Sequence, residues 1–171
     1  LHTVVQSAKQ FATDILVVDD GSTDGAIETI RNLDVNIVQH KTNRGKGEAI
    51  LSGARWAAAN GYSHIITMDA DGQHKASDIP LFVEKLNTFP LSIIVGARNF
   101  EATDTPDSSK FGRKFSNFWV RVSSGSSISD SQSGFRAYPL EVLNKVKCYS
   151  TRYNFEVEIL VRAVWAGVIL K

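Results

Sequence analysis

Over the first hundred residues of this chain, short apolar runs alternate with stretches in which apolar residues recur at helical spacing. This alternation constrains the fold more than any other feature of the sequence. The runs cover residues 15–18, 35–38, 64–68 and 92–95, and helical spacing is clearest over residues 45–60 and 79–86. Strands that alternate with helices favour parallel βαβ units, whose helices cover both faces of the sheet. We therefore predict an α/β fold with a mostly parallel sheet, in a single domain over residues 1–171.

The composition narrows the classes of function. Nineteen basic and eighteen acidic residues leave a net charge of +1, which argues against nucleic-acid binding through phosphates. The single cysteine, Cys148, excludes an intrachain disulfide and a zinc site built from cysteines, and it favours a reducing, cytoplasmic location. The longest apolar run, residues 163–170, is too short to span a bilayer. Helical spacing starts at Leu1 without a capping residue, so we expect the natural sequence to begin earlier.

The pattern changes after Gly96. Residues 99–110 are polar and predict a loop, and residues 111–122 carry aromatic and basic side chains at helical spacing. Such a helix is more often part of a core, but it could also lie on an anionic membrane surface. Seven serines in residues 123–133 indicate either a flexible linker or a loop that faces the substrate. A strand at residues 135–138, a helix at 154–166 and a strand at 168–170 follow.

Two acidic clusters lie at predicted strand ends, where ligands bind in open parallel sheets. The first, residues 19–25, reads DDGSTDG. It fails as a calcium-binding EF-hand loop that starts at Asp20, because Arg31 stands at the twelfth position of that loop, where glutamate is needed. A tight turn from strand to helix is the alternative interpretation of this cluster.

The second cluster is Asp69-Ala70-Asp71. Residues two apart on an extended backbone point the same way, so both carboxylates can face one divalent cation. A Mg²⁺ or Mn²⁺ ion held in this way commonly neutralises a diphosphate leaving group, and Gln73 follows closely enough to contribute. An acidic surface loop is the simpler interpretation of this motif alone. Two acidic strand ends within one βαβ pattern favour the ligand site.

Six segments carry a family resemblance. They are residues 17–24 (VVDDGSTD), 43–49 (NRGKGEA), 69–74 (DADGQH), 95–98 (VGAR), 133–138 (SGFRAY) and 153–158 (YNFEVE). In this order they resemble the family-2 glycosyltransferases, and most closely the dolichol-phosphate mannosyltransferase-like branch. The resemblance implies a Rossmann-like GT-A fold, a divalent metal, a UDP- or GDP-linked sugar donor and an inverting transfer.

The same resemblance implies roles for individual residues. Asp20 matches the position that contacts the nucleobase, and Asp71 matches a direct metal ligand, with Asp69 and Gln73 beside it. The residues expected to bind the nucleotide are, besides Asp20, Lys46, Asp69, Arg98 and Arg113. The first strand of the family, with its Pro and its Asn-Glu turn, is absent ahead of Leu1, so we expect this chain to be weakly active or inactive.

The acceptor implied by the resemblance is a polyprenyl phosphate, at the inner face of a membrane. Such a phosphate is already ionised at neutral pH, so cations that hold it matter more than a strong base. Arg136 and Arg152 are the candidate cations, although each could be an ordinary surface arginine. Glu156 is the acidic residue we expect in the catalytic site, with Asp71 and Arg136, whereas Glu158 is more simply paired with Arg162 along a helix.

Two other functions remain open from the sequence. A phosphoacceptor receiver domain also has two acids after one strand and an aspartate after a later one. It is shorter, however, and has no use for the DADGQH segment. A non-catalytic module that binds sugar nucleotides is the second alternative. Metal-dependent binding of UDP or GDP would separate the glycosyltransferase from the receiver, and turnover would separate it from the binding module.

Overall fold

The computed structural model, which describes residues 1–97, 130, 133–152 and 154–171, contains two small β-sheets with helices around them. The strands are β1 (Leu16–Asp19), β2 (Asn36–Gln39), β3 (His64–Thr67), β4 (Ile94–Val95) and β5 (Arg136–Pro139). The helices are α1 (His2–Ala8), α2 (Lys46–Ala59), α3 (Ile79–Thr88), α4 (Leu140–Lys145) and α5 (Phe155–Trp165), with 3₁₀ turns at Ala26–Ile30 and Ala76–Asp78. The predicted α/β class is therefore confirmed.

The two sheets differ in strand direction. β1 and β2 are parallel, with Leu16 opposite Asn36, as the alternating pattern predicts. β5 lies between β3 and β4 and is antiparallel to both, with Arg136 opposite Thr67 and Val95. The alternation of strands with helices ends before β5, so the sequence pattern carries no information on the direction of this strand. The two-stranded sheet is therefore parallel, whereas both strand pairs of the three-stranded sheet are antiparallel.

Helix α2 joins the two sheets. Its small residues allow this close packing: a Cβ atom added to Gly53 would lie 3.4 Å from Cγ2 of Val18 in β1. The helix also packs into the larger core cluster, which contains buried residues of α2, β5, α4 and α5. Those of α4 and α5 include Leu140, Leu143, Phe155, Ile159, Leu160 and Ala163. Because α2 carries the segment NRGKGEA at its start, this packing fixes the position of that segment.

The structure differs from the sequence prediction at three elements: two were predicted in another form, and one was not predicted. The apolar residues Ile27, Ile30 and Leu33 recur at helical spacing and predict a helix after the first acidic cluster, but residues 26–30 form only a short 3₁₀ turn. Residues 168–170 contribute a single parallel bridge, Ile93 to Leu170, where a strand was predicted. Helix α4 was not predicted because its six residues are too few to show a helical repeat. The predictions for residues 99–110 and 111–122, and for most of residues 123–133, lie outside the described residues.

No helix within the described ranges is both long and apolar enough to cross a membrane.

Candidate active site

Strand direction brings the second acidic cluster close to the start of β5. Asp69 follows the carboxyl end of β3, and antiparallel pairing sets that end beside the beginning of β5. The hydroxyl of Thr67 donates a hydrogen bond of 2.9 Å to the carbonyl of Gly134, just before β5. A Cβ atom on Gly134 would lie only 2.2 Å from Oδ2 of Asp69. The carboxylate of Asp69 therefore occupies the space that a side chain at position 134 would fill.

Lys46 lies at the centre of a charged cluster, which we call the Lys46 cluster: Lys46, Asp69 and Glu156. Its ammonium nitrogen is 2.8 Å from each oxygen of Asp69 and 2.8 Å from Oε1 of Glu156. The contact with Glu156 is an ion pair, since this buried oxygen accepts no well-aligned hydrogen bond from the described residues. The first residue of α2 thus connects the end of β3 with the first turn of α5.

Charges in the Lys46 cluster shift its pKa values. Burial alone would raise the pKa of the Asp69 carboxyl, but the neighbouring His74 and Lys46 outweigh burial and lower the pKa to about 2. Nε2 of His74 lies 3.9 Å from Oδ2 of Asp69. Burial likewise disfavours the ammonium of Lys46, but Asp69 and Glu156 raise the pKa of Lys46 above its usual value. The site therefore keeps Asp69 ionised and Lys46 protonated at neutral pH.

Asp20 organises the loop that precedes α2. Its two carboxylate oxygens accept hydrogen bonds from the backbone N–H groups of Arg44 and Gly45, at 2.8 and 2.7 Å. Oδ1 also lies 2.7 Å from Nδ1 of His40, a buried residue whose Nε2 is 2.9 Å from the hydroxyl of Ser52. Burial opposes ionisation, yet these hydrogen bonds lower the pKa of Asp20.

A cavity of about 250 Å³ lies beside this loop, between residues 21–23 and residues 39–41. Asp19 supports one wall, because its carboxylate accepts hydrogen bonds from the backbone N–H of Ser22 and the side-chain amide of Gln39. The cavity is large enough for a heterocyclic base, and it lies beside Asp20. The predicted contact of Asp20 with a nucleobase is compatible with this placement and stays a prediction.

The metal prediction involves Asp69, Asp71 and Gln73. The described part of the chain contains no group of three or more His, Cys, Asp or Glu side chains placed to hold a metal ion. Asp71 is exposed, and its Oδ1 accepts a hydrogen bond of 2.9 Å from the backbone N–H of Gln73. Mg²⁺ is usually held by one or two carboxylates together with substrate phosphates. These residues therefore fit an ion that shares its ligands with a bound diphosphate.

Arg136 is a predicted catalytic residue that the structure places beneath the site. It is fully buried, and its guanidinium donates hydrogen bonds to the carbonyls of Ser133 and Glu156, both at 2.7 Å, and to the hydroxyl of Tyr138. These bonds connect β5 with the first turn of α5. A direct contact of Arg136 with an acceptor stays a prediction, and the contacts shown are those of a positioning residue.

The other predicted residues divide into two groups. Glu156 is buried and lies in the Lys46 cluster, and Arg152 is exposed in the loop before α5. Arg98 and Arg113 lie outside the described residues, so their predicted contacts with the nucleotide stay predictions.

The segment around Thr151 holds the start of α2 in place, and this role was not predicted from the sequence. The carbonyl of Thr151 accepts hydrogen bonds from the backbone N–H groups of Gly47 and Glu48, at 2.8 and 3.3 Å. A Cβ atom on Gly47 would lie 2.7 Å from the side chain of Phe155. The two glycines of the Gly-Lys-Gly segment could have indicated this contact. Closely spaced glycines often mark a place where another part of the backbone approaches closely.

Glu158 holds the segment around Thr151 in place. Its carboxylate accepts hydrogen bonds from the backbone N–H groups of Tyr149 and Ser150 and from Nε of Arg162. The predicted pairing of Glu158 with Arg162 is therefore present. Burial of the Glu158 carboxyl opposes its ionisation, but these hydrogen bonds lower its pKa to about 2.

The first prediction concerns acid stability. A carboxyl whose pKa is lower in the folded chain stabilises the fold above the unfolded pKa, near 4.5, and loses that effect as the pH falls towards 2. We expect Glu158→Gln to lower the free energy of unfolding by about 2 kcal/mol at pH 7, and by clearly less at pH 3. Urea denaturation at both pH values measures this. Glu141→Gln, which breaks an exposed pair with Lys145, is the control and should cost under about 0.5 kcal/mol. An equal loss at both pH values would contradict the assignment.

The second prediction concerns the space beside Asp69. We expect Gly134→Ala to displace the Asp69 carboxylate and to lower Mn²⁺-dependent nucleotide affinity by about tenfold, since one weakened charged contact is worth about 1.4 kcal/mol. Calorimetric titration with UDP and GDP in the presence of Mn²⁺ measures this. Gly61→Ala is the control: Gly61 has φ +81° and open space around it, so alanine strains the backbone without touching the site. If both variants bind equally well, Asp69 does not depend on Gly134.

Known proteins with similar sequences give the site its family context. Residues 1–147 match the family described as Glycosyl transferase family 2. Undecaprenyl-phosphate mannosyltransferase of Micrococcus luteus is 29% identical over 166 residues, which cover 91% of this chain and 68% of that protein. Polyprenol monophosphomannose synthase of Mycolicibacterium smegmatis is 32% identical over 165 residues, which cover 90% of this chain and 62% of that protein.

A solved structure supports the fold assignment. Glucosyl-3-phosphoglycerate synthase from Mycobacterium tuberculosis, in complex with Mn²⁺, UDP-glucose and phosphoglyceric acid, matches with a TM-score of 0.74 and 19% identity. The match covers 99% of this chain and 63% of that one, so the chain spans about two thirds of the length of these proteins. The fold is GT-A-like, as predicted.

Proposed function

Because this chain belongs to glycosyl transferase family 2, and is a glycosyltransferase by that membership, we propose that it transfers a sugar from a nucleotide to a polyprenyl phosphate with inversion at the anomeric carbon. The names of the two bacterial relatives support the acceptor, since both denote mannose transfer to a polyprenyl carrier. The Lys46 cluster is the observation that carries the proposal, because it gathers charges of both signs where two strand ends meet. Membership of this family excludes the receiver domain.

On the donor side, we propose that the base of a UDP- or GDP-linked sugar enters the cavity beside Asp20. The diphosphate then lies near Lys46, whose ammonium can neutralise one of its charges. Mg²⁺ or Mn²⁺ would be held by Asp69 and Asp71, with Gln73 beside them, and would stabilise the negative charge of the departing diphosphate. Arg98 and Arg113 are proposed as further cations at the diphosphate.

On the acceptor side, a phosphate oxygen attacks the anomeric carbon from the face opposite the diphosphate. The bond from this carbon to the diphosphate oxygen breaks as the new bond to the acceptor oxygen forms, and the nucleoside diphosphate leaves. The acceptor phosphate is ionised at neutral pH, so no side chain has to remove a proton from it. Arg152 is exposed and near the start of α2, so we propose that it attracts the acceptor phosphate, while Arg136 positions Glu156 from below.

We further propose that residues 1–171 act as one catalytic domain at the cytoplasmic face of a membrane, where a polyprenyl phosphate is held. A peripheral contact through residues 111–122 is part of this proposal, because these residues combine aromatic and basic side chains.

A transfer assay tests the proposed function. The chain is incubated with radiolabelled UDP- and GDP-linked hexoses, Mn²⁺ and a short polyprenyl phosphate in detergent micelles. In line with the weak activity expected from the sequence, we expect a low level of label in the lipid fraction with one of the donors. This transfer should require the metal and give an inverted anomeric configuration by NMR. Phosphoglycerate serves as the alternative acceptor. Transfer to phosphoglycerate alone would overturn the acceptor assignment, and binding of the donor without transfer to either acceptor would favour a non-catalytic module.

A further inference from the structure

The ammonium of Lys46 is surrounded by an unusual number of carboxylate oxygens. It lies 2.8 Å from three carboxylate oxygens, namely both oxygens of Asp69 and Oε1 of Glu156. Glu156 is buried, and about a third of the Asp69 side chain is exposed. Two carboxylates this close to one point repel each other strongly unless a cation lies between them. In this arrangement Lys46 is that cation.

A divalent ion bound by Asp69 would compete with Lys46. Both oxygens of Asp69 are already in contact with the ammonium, so an ion that takes either oxygen as a ligand must lie close to Nζ of Lys46. Like charges at such a distance repel, and the partly buried surroundings weaken the screening by water. The ion can bind well only if Lys46 moves away or acquires another anionic partner.

Lys46 is able to move. Its side chain is an unbranched, flexible stem at the first residue of α2, and it is 23% exposed, so other positions of the ammonium are open to it. A diphosphate next to the cluster would offer the ammonium new oxygen partners, because lysine is a flexible point charge that readily binds phosphate.

We propose that Lys46 is an internal competitor of the metal ion at Asp69, so that metal and nucleotide bind cooperatively. Without a diphosphate, Lys46 neutralises Asp69 and Glu156 and keeps metal affinity low. With a diphosphate, Lys46 transfers its contact to phosphate oxygens and leaves Asp69 to the metal. By linkage, the metal then raises nucleotide affinity by the same factor. This inference rests on the proposed function, because it requires a donor that carries a diphosphate.

Mn²⁺ binding without nucleotide tests the proposal, and electron paramagnetic resonance of free Mn²⁺ measures it. We expect Lys46→Gln to bind Mn²⁺ at least tenfold more tightly than the unmodified chain. The gain in Mn²⁺ affinity on adding UDP or GDP should be smaller in this variant. Lys75→Gln is the matched control: it removes the same charge from an exposed lysine four positions after Asp71 in the sequence, and it should change Mn²⁺ affinity less than twofold.

Unchanged or weaker Mn²⁺ binding by Lys46→Gln would overturn the proposal, as would an equal increase in Lys75→Gln. If Lys46→Gln does not fold without metal, the proposal requires that Mn²⁺ restore its folded circular dichroism spectrum, and failure to do so also overturns it. The transfer assay separates the two claims. Normal transfer with no effect of Lys46→Gln on Mn²⁺ refutes only this inference. Tighter Mn²⁺ binding by the variant, without transfer by the unmodified chain, refutes only the proposed function.

Discussion

Asp71→Asn is expected to lower the Mn²⁺-dependent affinity for the nucleotide about a hundredfold. Hard divalent ions bind through charged oxygen, and losing one direct charged contact with the metal costs about 2 to 3 kcal/mol. The stability of the fold should change little, because Asp71 is exposed and asparagine keeps an oxygen that can accept the hydrogen bond from Gln73. Calorimetric titration with UDP and GDP, with and without Mn²⁺, measures the effect on affinity, and thermal melting measures stability.

Asp24→Asn is a matched control for this substitution. Asp24 is also exposed, and its Oδ1 accepts a hydrogen bond of 3.0 Å from the backbone N–H of Ala26, two residues further on. The two aspartates therefore have the same local geometry, and only Asp71 is assigned to the metal. We expect Asp24→Asn to leave nucleotide affinity unchanged. If the two variants bind alike, Asp71 belongs to an ordinary turn and does not bind the metal.

Gly47→Ala is expected to have the largest effect on stability. The added methyl group would lie 2.7 Å from Cβ and Cγ of the fully buried Phe155, and 2.9 Å from the carbonyl oxygen of Thr151. Neither neighbour is the free end of a flexible side chain, so backbone must shift. Overpacking of this kind costs about 1 to 3 kcal/mol, and loss of the hydrogen bonds to Thr151 adds about 1 kcal/mol. Chemical denaturation should show a loss of about 2 to 4 kcal/mol in the free energy of unfolding.

Gly53→Ala, in the same helix, provides the control. Its methyl group would meet Cγ2 of Val18 at 3.4 Å, which is ordinary contact. Alanine also has the higher helix propensity, by about 1 kcal/mol. This variant should therefore be as stable as the unmodified chain or up to about 1 kcal/mol more stable. Equal stability of the two variants would show that α2 can move away from Phe155 at no cost.

Much of the first half of the fold could be predicted from sequence. The apolar runs that form β1 and β3 end at acidic residues, and the alanine-rich stretch before Gly61 marks α2. These features are local, and each depends on the spacing of neighbouring residues. The direction of β5 could not be predicted, because its pairing with β3 depends on residues about seventy positions apart.

In the site, too, features that depend on neighbouring residues could be predicted, whereas contacts between distant residues could not. The acidic residues Asp69 and Asp71 were found from their spacing, whereas the partner of Asp69 was not. Lys46 was expected to bind a nucleotide directly, and its contacts with two carboxylates arise only when α2, β3 and α5 pack together. Arg136 was predicted as a cation that holds the acceptor phosphate, with an ordinary surface arginine as the alternative, and the structure buries it completely. Its burial is possible because three oxygen acceptors surround its guanidinium.

The ion pair between Lys46 and Glu156 has a consequence for how the chain folds. The two residues are 110 positions apart, and the hydrogen bonds from Gly47 and Glu48 to Thr151 join almost equally distant parts of the chain. Closing so long a loop costs conformational entropy that is recovered only when its ends are held together. We expect these contacts to form late, after β1, β2 and α2 have folded locally. During synthesis on the ribosome, the start of α2 must therefore wait for the last helix, and a chain that stops before Thr151 has no complete site.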